Sequence, residues 1–210
     1  MTHAEIKMAV SAYYTEKVMT HGTTSLGVDW NSTESQELRF KQLLSLFDLS
    51  QPFSINDLGC GYGALLPYMN NIYPHFTYTG YDISPAMIEK ARNLFEPISH
   101  AQFVCSDKMD PADYTVASGI LNVKLEQPEA TWKEYTLSVM NSMHQASQKG
   151  FAVNLLTTYS DPPLRKDYLY YADPGFYFDY AKTHFSRHVS LLHHYNLYEF
   201  TLIVLKEGRP

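Results

Sequence analysis

Asp57, Gly59, Gly61, Gly63 and Asp82 are the residues of this chain whose types and spacing could do chemistry. The run Ile55-Asn-Asp57-Leu-Gly59-Cys-Gly61-Tyr-Gly63 is an apolar stretch that closes on an acid and a glycine-dense turn. Glycines at alternate positions let the backbone turn sharply from a strand into a helix. They also let a ligand approach main-chain N–H groups that a Cβ would shield. About twenty residues on, Tyr78-Thr-Gly-Tyr-Asp82-Ile-Ser ends a second apolar run on an acid, placed to accept two hydrogen bonds from ribose hydroxyls. The pattern describes a strand-turn-helix that binds a nucleoside.

Two nucleoside cofactors compete for such a turn, a nicotinamide dinucleotide and S-adenosylmethionine (SAM). Gly59-x-Gly61-x-x-Ala64 satisfies the dinucleotide fingerprint with alanine in its last place. Asp57 decides between them, because its carboxylate would face the ligand across the turn. It repels a pyrophosphate and attracts the ammonium of a methionine moiety. Tyr62 puts a bulky ring where a pyrophosphate needs close backbone approach, and Gly63 extends the run to Gly-x-Gly-x-Gly. On these residues the chain resembles the class I SAM-dependent methyltransferases, whose first motif, acid-x-Gly-x-Gly-x-Gly, is matched from Asp57 to Gly63.

A parallel sheet must hold these residues, and short apolar runs alternating with helical periods supply one. Phe53 to Leu58 reads as the first strand, Ala64 to Asn71 as its helix, and Thr77 to Tyr81 as the second strand. Ser84-Pro85 supplies an N-cap with proline at the first helical position, and Met87, Ile88, Ala91, Leu94 and Phe95 recur at helical spacing behind it. Ala101 to Cys105 is a third strand and Tyr114 to Ile120 a fourth. Residues 128 to 148 form a long helix stopped by Gly150, and Phe151 to Thr158 a fifth strand. A helix around residues 175 to 185 precedes Val189 to Tyr195 and Leu197 to Leu205, which read as an antiparallel hairpin about a tight turn at Asn196. The expected fold class is α/β: a Rossmann-like, doubly wound, seven-stranded sheet, mostly parallel, with an antiparallel C-terminal hairpin and an N-terminal helical lid. That ending departs from a nicotinamide Rossmann domain and agrees with what the resemblance implies. Residues 1–210 are expected to form one domain, with 1–50 as lid and substrate segment and 51–206 as the Rossmann-like core.

A chain of 210 residues with 45% hydrophobic content can bury a full core. The net charge of -6 argues against the basic face that nucleic acid requires. There is no 18-residue apolar stretch, and Met1-Thr-His-Ala-Glu lacks the basic and apolar regions of a signal peptide, so a cytoplasmic protein with no membrane partner is expected. Cys60 and Cys105 form no CxxC pair, and His184 and His188 have no third ligand nearby, so neither a disulfide framework nor a metal site is expected.

The resemblance implies roles for residues that match the family's motifs. Gly59, Cys60, Gly61 and Gly63 would line the methionine part of SAM, with Asp57 near its ammonium. Asp82 would take both ribose hydroxyls and Ile83 would pack on the adenine. Asp107, just past the third strand, would accept the adenine amino group with Lys108 or Met109 beside the ring, and Ser118 and Gly119 would form the floor beneath the sulfonium. Helices at 3–19 and 32–48 bracket a loop able to fold over the cofactor and exclude water. Arg39 on the second helix is placed to pair with the SAM carboxylate bidentately, with Gln36 and Tyr14 as neighbours.

For the acceptor, Trp30 is a candidate wall, and Tyr159, Tyr170, Tyr171 and Tyr177 come from an aromatic-dense connection between the fifth strand and the hairpin. Tyrosines there would form a stiff, amphipathic surface. His193, His194 and His21 are candidate general bases, needed only if the acceptor is a hydroxyl or a protonated amine. Past the fourth strand, Ser118-Gly-Ile-Leu-Asn122-Val lacks the Asn/Asp-Pro-Pro-aromatic signature of enzymes that methylate nucleic-acid amino groups. The expected activity is methyl transfer from SAM, with S-adenosylhomocysteine (SAH) as product, to a small-molecule acceptor at O, N, S or a carboxylate. Two alternatives stay open, a SAM- or SAH-binding regulatory protein without chemistry and an NAD(P)-dependent oxidoreductase.

Overall fold

A computed structural model describes residues 2–24, 27 and 32–207. The apolar runs pair into a seven-stranded sheet in the order β3-β2-β1-β4-β5-β7-β6. β1 (Phe53–Leu58), β2 (Phe76–Asp82), β3 (Ala101–Cys105), β4 (Ala112–Ala117) and β5 (Ser147–Leu156) run parallel. β7 (Glu199–Leu205) lies antiparallel between β5 and β6 (His188–Leu192). The chain winds outward from β1 through β2 to β3, then returns to the other side of β1 with β4. Such a reversal opens a crevice at the carboxyl ends of the two strands that flank it, here β1 and β4.

Side-chain alternation along the strands sorts the apolar residues onto two faces. Phe151, Val153 and Leu155 of β5, with Phe200, Leu202 and Val204 of β7, enter one core under α5 (Glu129–Ala146) and α6 (Pro174–His184). Ala152 and Ile203 enter the opposite core with α2 (Thr33–Leu44), α3 (Leu65–Asn70) and α4 (Pro85–Phe95). The first helix, α1 (His3–His21), begins with a reciprocal capping box between Thr2 and Glu5. Its Ile6 and Val10 join the first core while its flank packs on α4, so α1 crosses over the carboxyl ends of the strands.

Of the boundaries that differ from the sequence reading, three have a plain physical reason. α5 ends at Ala146 and Gly150 lies inside β5, where an added Cβ would come within 2.6 Å of the Val204 carbonyl oxygen. The glycine serves a close approach between strands, not a helix stop. β4 ends at Ala117 instead of Ile120, which frees Ser118, Gly119 and Ile120 to turn into the crevice. The link between β6 and β7 is no tight turn. Residues 193–198 form a loop held by Leu197 N donating to Tyr195 O at 2.8 Å and by a 2.8 Å bond between the Tyr195 and Thr201 hydroxyls.

Candidate functional site

β1 carries Asp57 to the floor of the crevice, and the chain then turns over it. Gly59 N and Cys60 N donate to Tyr81 O of β2 at 2.7 and 3.0 Å, and Gly59, Gly61 and Gly63 take positive φ values of 72°, 55° and 86°. At Gly59 the need is double, because an added Cβ would sit 2.0 Å from Ile120 Cγ2. The Asp82 carboxylate accepts from Gly61 N at 2.9 Å and from Ser84 N at 2.8 Å. One acid at the end of β2 therefore fixes both the glycine turn and the start of α4. Burial pushes the Asp82 pKa up, with its backbone hydrogen bonds opposing.

Asp57 is buried and accepts a 2.7 Å hydrogen bond from the Tyr78 hydroxyl. Burial pushes its pKa up to about 7, the Tyr78 bond opposing and the nearby Asp82 charge adding. Cys60 is buried in the turn, and burial likewise drives its thiol well above the ordinary range. It is a packing residue beside the crevice and not an activated nucleophile.

Two cavities meet over this turn. The first is framed by Leu58, Asp82, Ile83, Ser106 and Asp107 at the strand ends, by Tyr135, Ser138, Val139 and Ser142 of α5, and by His3, Lys7, Val10 and Tyr14 of α1. Those four α1 positions fall on one helical face. The helix is held down by Ser11 Oγ donating to Ile83 O at 3.2 Å, by a 2.7 Å bond between the Thr15 and Ser84 hydroxyls, and by an ion pair of Lys7 with Asp107. The second cavity is framed by Asp57, Cys60, Gly61, Ala64 and Ser118, with Gln36 and Phe40 of α2. Tyr14, Gly59, Asp82 and Ile120 border both. A third cavity opens at Tyr14 and Gly119 and is bounded by Arg39, Asn122, Lys166, Tyr168, Tyr171, Tyr198 and Glu199 among others. Tyr14 borders all three.

The structure thus brings together Tyr14, Asp57, Gly59, Cys60, Gly61, Asp82, Ile83, Asp107 and Ser118 around the joined pair of cavities, with Gly119 and Tyr171 facing the third. Gly63 backs the turn, where a Cβ would meet the Phe103 ring at 2.8 Å. Other expected residues lie elsewhere. Arg39 is buried, and its Nε and Nη2 donate to the Glu199 carboxylate at 2.5 to 2.9 Å while Nη1 donates to Ser35 O at 2.9 Å, so this carboxylate takes the bidentate contact expected for a ligand. Lys108 is exposed, its backbone held by Ser106 Oγ at 2.9 Å, and borders none of the three cavities.

Tyr170 and Tyr177 are core residues joined by a 3.0 Å hydroxyl contact, and Tyr159 is 75% exposed against His193. His193 and His194 lie exposed beyond the end of β6, where strand alternation no longer aims a ring at a face, and His21 is exposed at the end of α1. Trp30 lies outside the described residues. Among the described residues no group of three or more His, Cys, Asp or Glu side chains could hold a metal ion, and no helix is long and apolar enough to cross a membrane.

Sequence reasoning missed Asn122, Asn154, Ile120 and Glu199. Asn154, fully buried on β5, accepts from Gly119 N at 2.8 Å and reaches Ser118 Oγ at 3.4 Å, pinning the floor of the crevice. Its signal was a single polar residue inside the apolar run Phe151 to Leu156.

Comparison with known proteins follows the same lines. Residues 56–141 match a family described as a methyltransferase domain. A provisionally named methyltransferase of Mycobacterium tuberculosis is 46% identical over 164 residues, which span 78% of this chain and 99% of that protein. Among solved structures, an N-methyltransferase of Bradyrhizobium japonicum in complex with SAH superposes with a TM-score of 0.62 at 13% identity, covering 93% of this chain and 97% of that one. A magnesium protoporphyrin IX methyltransferase of Synechocystis with bound SAH gives a TM-score of 0.60 at 12% identity over 83% of each chain. At those identities the two structures speak for the fold.

Proposed function

Since the chain belongs to the class I SAM-dependent methyltransferases, we propose that the joined pair of cavities holds SAM and that the third takes a small-molecule acceptor. SAM, when bound, supplies an electrophilic methyl group on a sulfonium. The observation that carries the reading is the contact of all three cavities at Tyr14 and the 118–120 turn, where donor and acceptor spaces adjoin.

The residues suit the cofactor. Asp57, a buried acid whose pKa is pushed up to about 7 with no cation among the described residues beside it, suits an ammonium. Asp82 borders both halves and suits a ribose, while Ile83 and Asp107 border the half suited to adenine. α1 covers this half and keeps water from it, and Asn154 holds Ser118 and Gly119 in place. Calorimetric titration tests the assignment: saturable SAM binding with NADH inert is expected. NADH binding with SAM silent would overturn it.

The titration of Asp57 makes a second measurement available. In the free protein Asp57 is protonated below about 7, and pairing with an ammonium requires its ionised form. SAM affinity should therefore fall about tenfold per pH unit below 7 and level off above. Tyr78→Phe removes the hydrogen bond that favours the carboxylate and should move the break to higher pH. For stability the sign is opposite. The folded pKa is raised, so the Asp57 contribution is fully present below its unfolded value near 3.8 and is lost as pH rises through about 7. Saturating SAM should reduce that loss. An affinity that is flat from about pH 5.5 to 7.5 would remove Asp57 from the ammonium site.

A further inference from the structure

The third cavity, about 370 Å³ in volume, falls within the size range of small-molecule sites. One wall forms where residues 122–125 lie against 168–170. Tyr170 N donates to Asn122 O at 2.8 Å, Leu125 N donates to Tyr168 O at 3.0 Å, and Val123 forms an antiparallel bridge with Leu169. These backbone contacts fix Asn122 in the same lining as Tyr168 and Tyr171.

Asn122 is only 4% exposed, and its polar atoms are committed with one exception. Its N donates to Gly119 O at 3.2 Å, its carbonyl takes the Tyr170 bond, and Leu156 N donates to its Oδ1 at 3.1 Å. The last bond fixes the orientation of the amide, because Nδ2 in that place would set donor against donor. Among the described residues Nδ2 has no hydrogen-bond partner. Other polar side chains of the lining are engaged: Arg39 with Glu199, Ser160 Oγ with Thr157 O at 2.7 Å, the Tyr171 hydroxyl with Lys166 N at 2.9 Å, and the Tyr198 hydroxyl with Asp161. A buried donor without an acceptor has already lost its hydration. A ligand oxygen that reaches it gains a hydrogen bond with no water to strip from the protein. Nδ2 is shut off from solvent, so the ligand has to shift the wall slightly as it seats.

We propose that Asn122 sets the specificity of the acceptor cavity by donating from Nδ2 to a carbonyl or hydroxyl oxygen of the acceptor, whose apolar body lies along Tyr168, Leu169 and Tyr171. The inference rests on the SAM reading of the adjoining cavities. Gly119, bonded to Asn122 N, belongs to the 118–120 turn where the cavities meet, so the oxygen is held close to the methyl end of the cofactor. A molecule lacking it leaves a buried donor unpaired and is disfavoured for that reason.

The test is calorimetric titration of SAH-saturated protein with mono- and bicyclic aromatic ketones and phenols. Each is matched with the analogue carrying hydrogen in place of the oxygen group and with the one carrying an aminomethyl group. At least one ketone or phenol should bind about tenfold more tightly than its hydrogen analogue. Asn122→Asp keeps an Oδ1 for Leu156 N and exchanges the donor for an acceptor, so it is expected to fold. At about pH 8, where the new carboxyl is ionised, it should erase that preference and favour the aminomethyl analogue. The hydrogen analogue should bind within about twofold of its affinity for the parent. A side chain that only shapes the wall would not reverse the preference. Independently of any variant, the Asn122 side-chain NH2 proton resonances of the isotope-labelled parent should move downfield with the ketone or phenol and not with the hydrogen analogue.

Oxygen compounds that bind no better than their hydrogen analogues, a preference that survives Asn122→Asp, or NH2 resonances that respond alike to both would each overturn the role of Asn122 while leaving the cofactor reading intact. Failure of SAH itself to bind would overturn the cofactor reading, and this inference with it.

Discussion

Replacing Asp82 by alanine is expected to weaken SAM binding by about two to four orders of magnitude. Two charge-assisted hydrogen bonds to the ribose, at roughly 1.5 to 3 kcal/mol each, set that range. The carboxylate also accepts from Gly61 N and Ser84 N, so the alanine variant strips acceptors from the glycine turn and from the start of α4. Asp82→Asn separates the two effects. Its amide oxygen can keep one backbone N–H while its NH2 faces the other, so its melting temperature should fall less than that of the alanine variant while its SAM affinity falls through the lost charge. Calorimetry gives the affinities and thermal unfolding the stabilities. An alanine variant that binds SAM within about threefold of the parent would mean that Asp82 serves the turn alone, and the ribose would have to lie elsewhere.

Arg39→Ala is expected to destabilise the fold by about 3 to 5 kcal/mol, because it leaves the Glu199 carboxylate buried without its cation. Glu199 is 1% exposed and Arg39 8%, so water replaces neither partner. For a chain of this size the loss corresponds to roughly 6 to 20 °C in melting temperature. Replacing the pair together, Arg39→Met with Glu199→Leu, should recover most of it, since two apolar side chains of similar volume remove both charges from the interior. Urea unfolding of the parent, both single variants and the double variant closes the cycle. A loss below about 1 kcal/mol for Arg39→Ala would show a guanidinium not committed to Glu199 and would reopen its pairing with a cofactor carboxylate.

That pair also shows where sequence reading stops. The suitability of Arg39 for a bidentate carboxylate was legible from its chemistry, but its partner lies on β7, 160 positions away, and no local pattern joins them. The glycine turn and Asp82 were legible because their constraints are local: positive φ at three glycines and an acid at a strand end leave a mark in the residues themselves. β1 and β3 match their expected spans because each apolar run is closed at once by turn residues. The stretch after β5 gave no such purchase. Tyr170 and Tyr171 are adjacent in an irregular segment, yet one is buried against Tyr177 and the other borders the third cavity. Without a helix or strand period, composition cannot tell a pocket wall from a core. The placement of the paired histidines was illegible for a related reason, since a face could be assigned to them only while β6 was taken to run past Leu192.

The place of β7 in the sheet bears on how the chain is made. It is the last of the seven strands to leave the ribosome, yet it is seated between β5 and β6 and supplies Glu199 to Arg39. Until residues 199–205 emerge, β5 presents an open hydrophobic edge, β6 lacks the strand it pairs with, and Arg39 lacks the Glu199 carboxylate. A nascent chain interrupted before that point would carry nearly the whole binding crevice and still be a substrate for chaperones and proteases, because bare strand edges and exposed apolar surface mark it as unfinished. Completion of the sheet thus waits on the last of its seven strands, far along the chain from the turn that the cofactor would occupy.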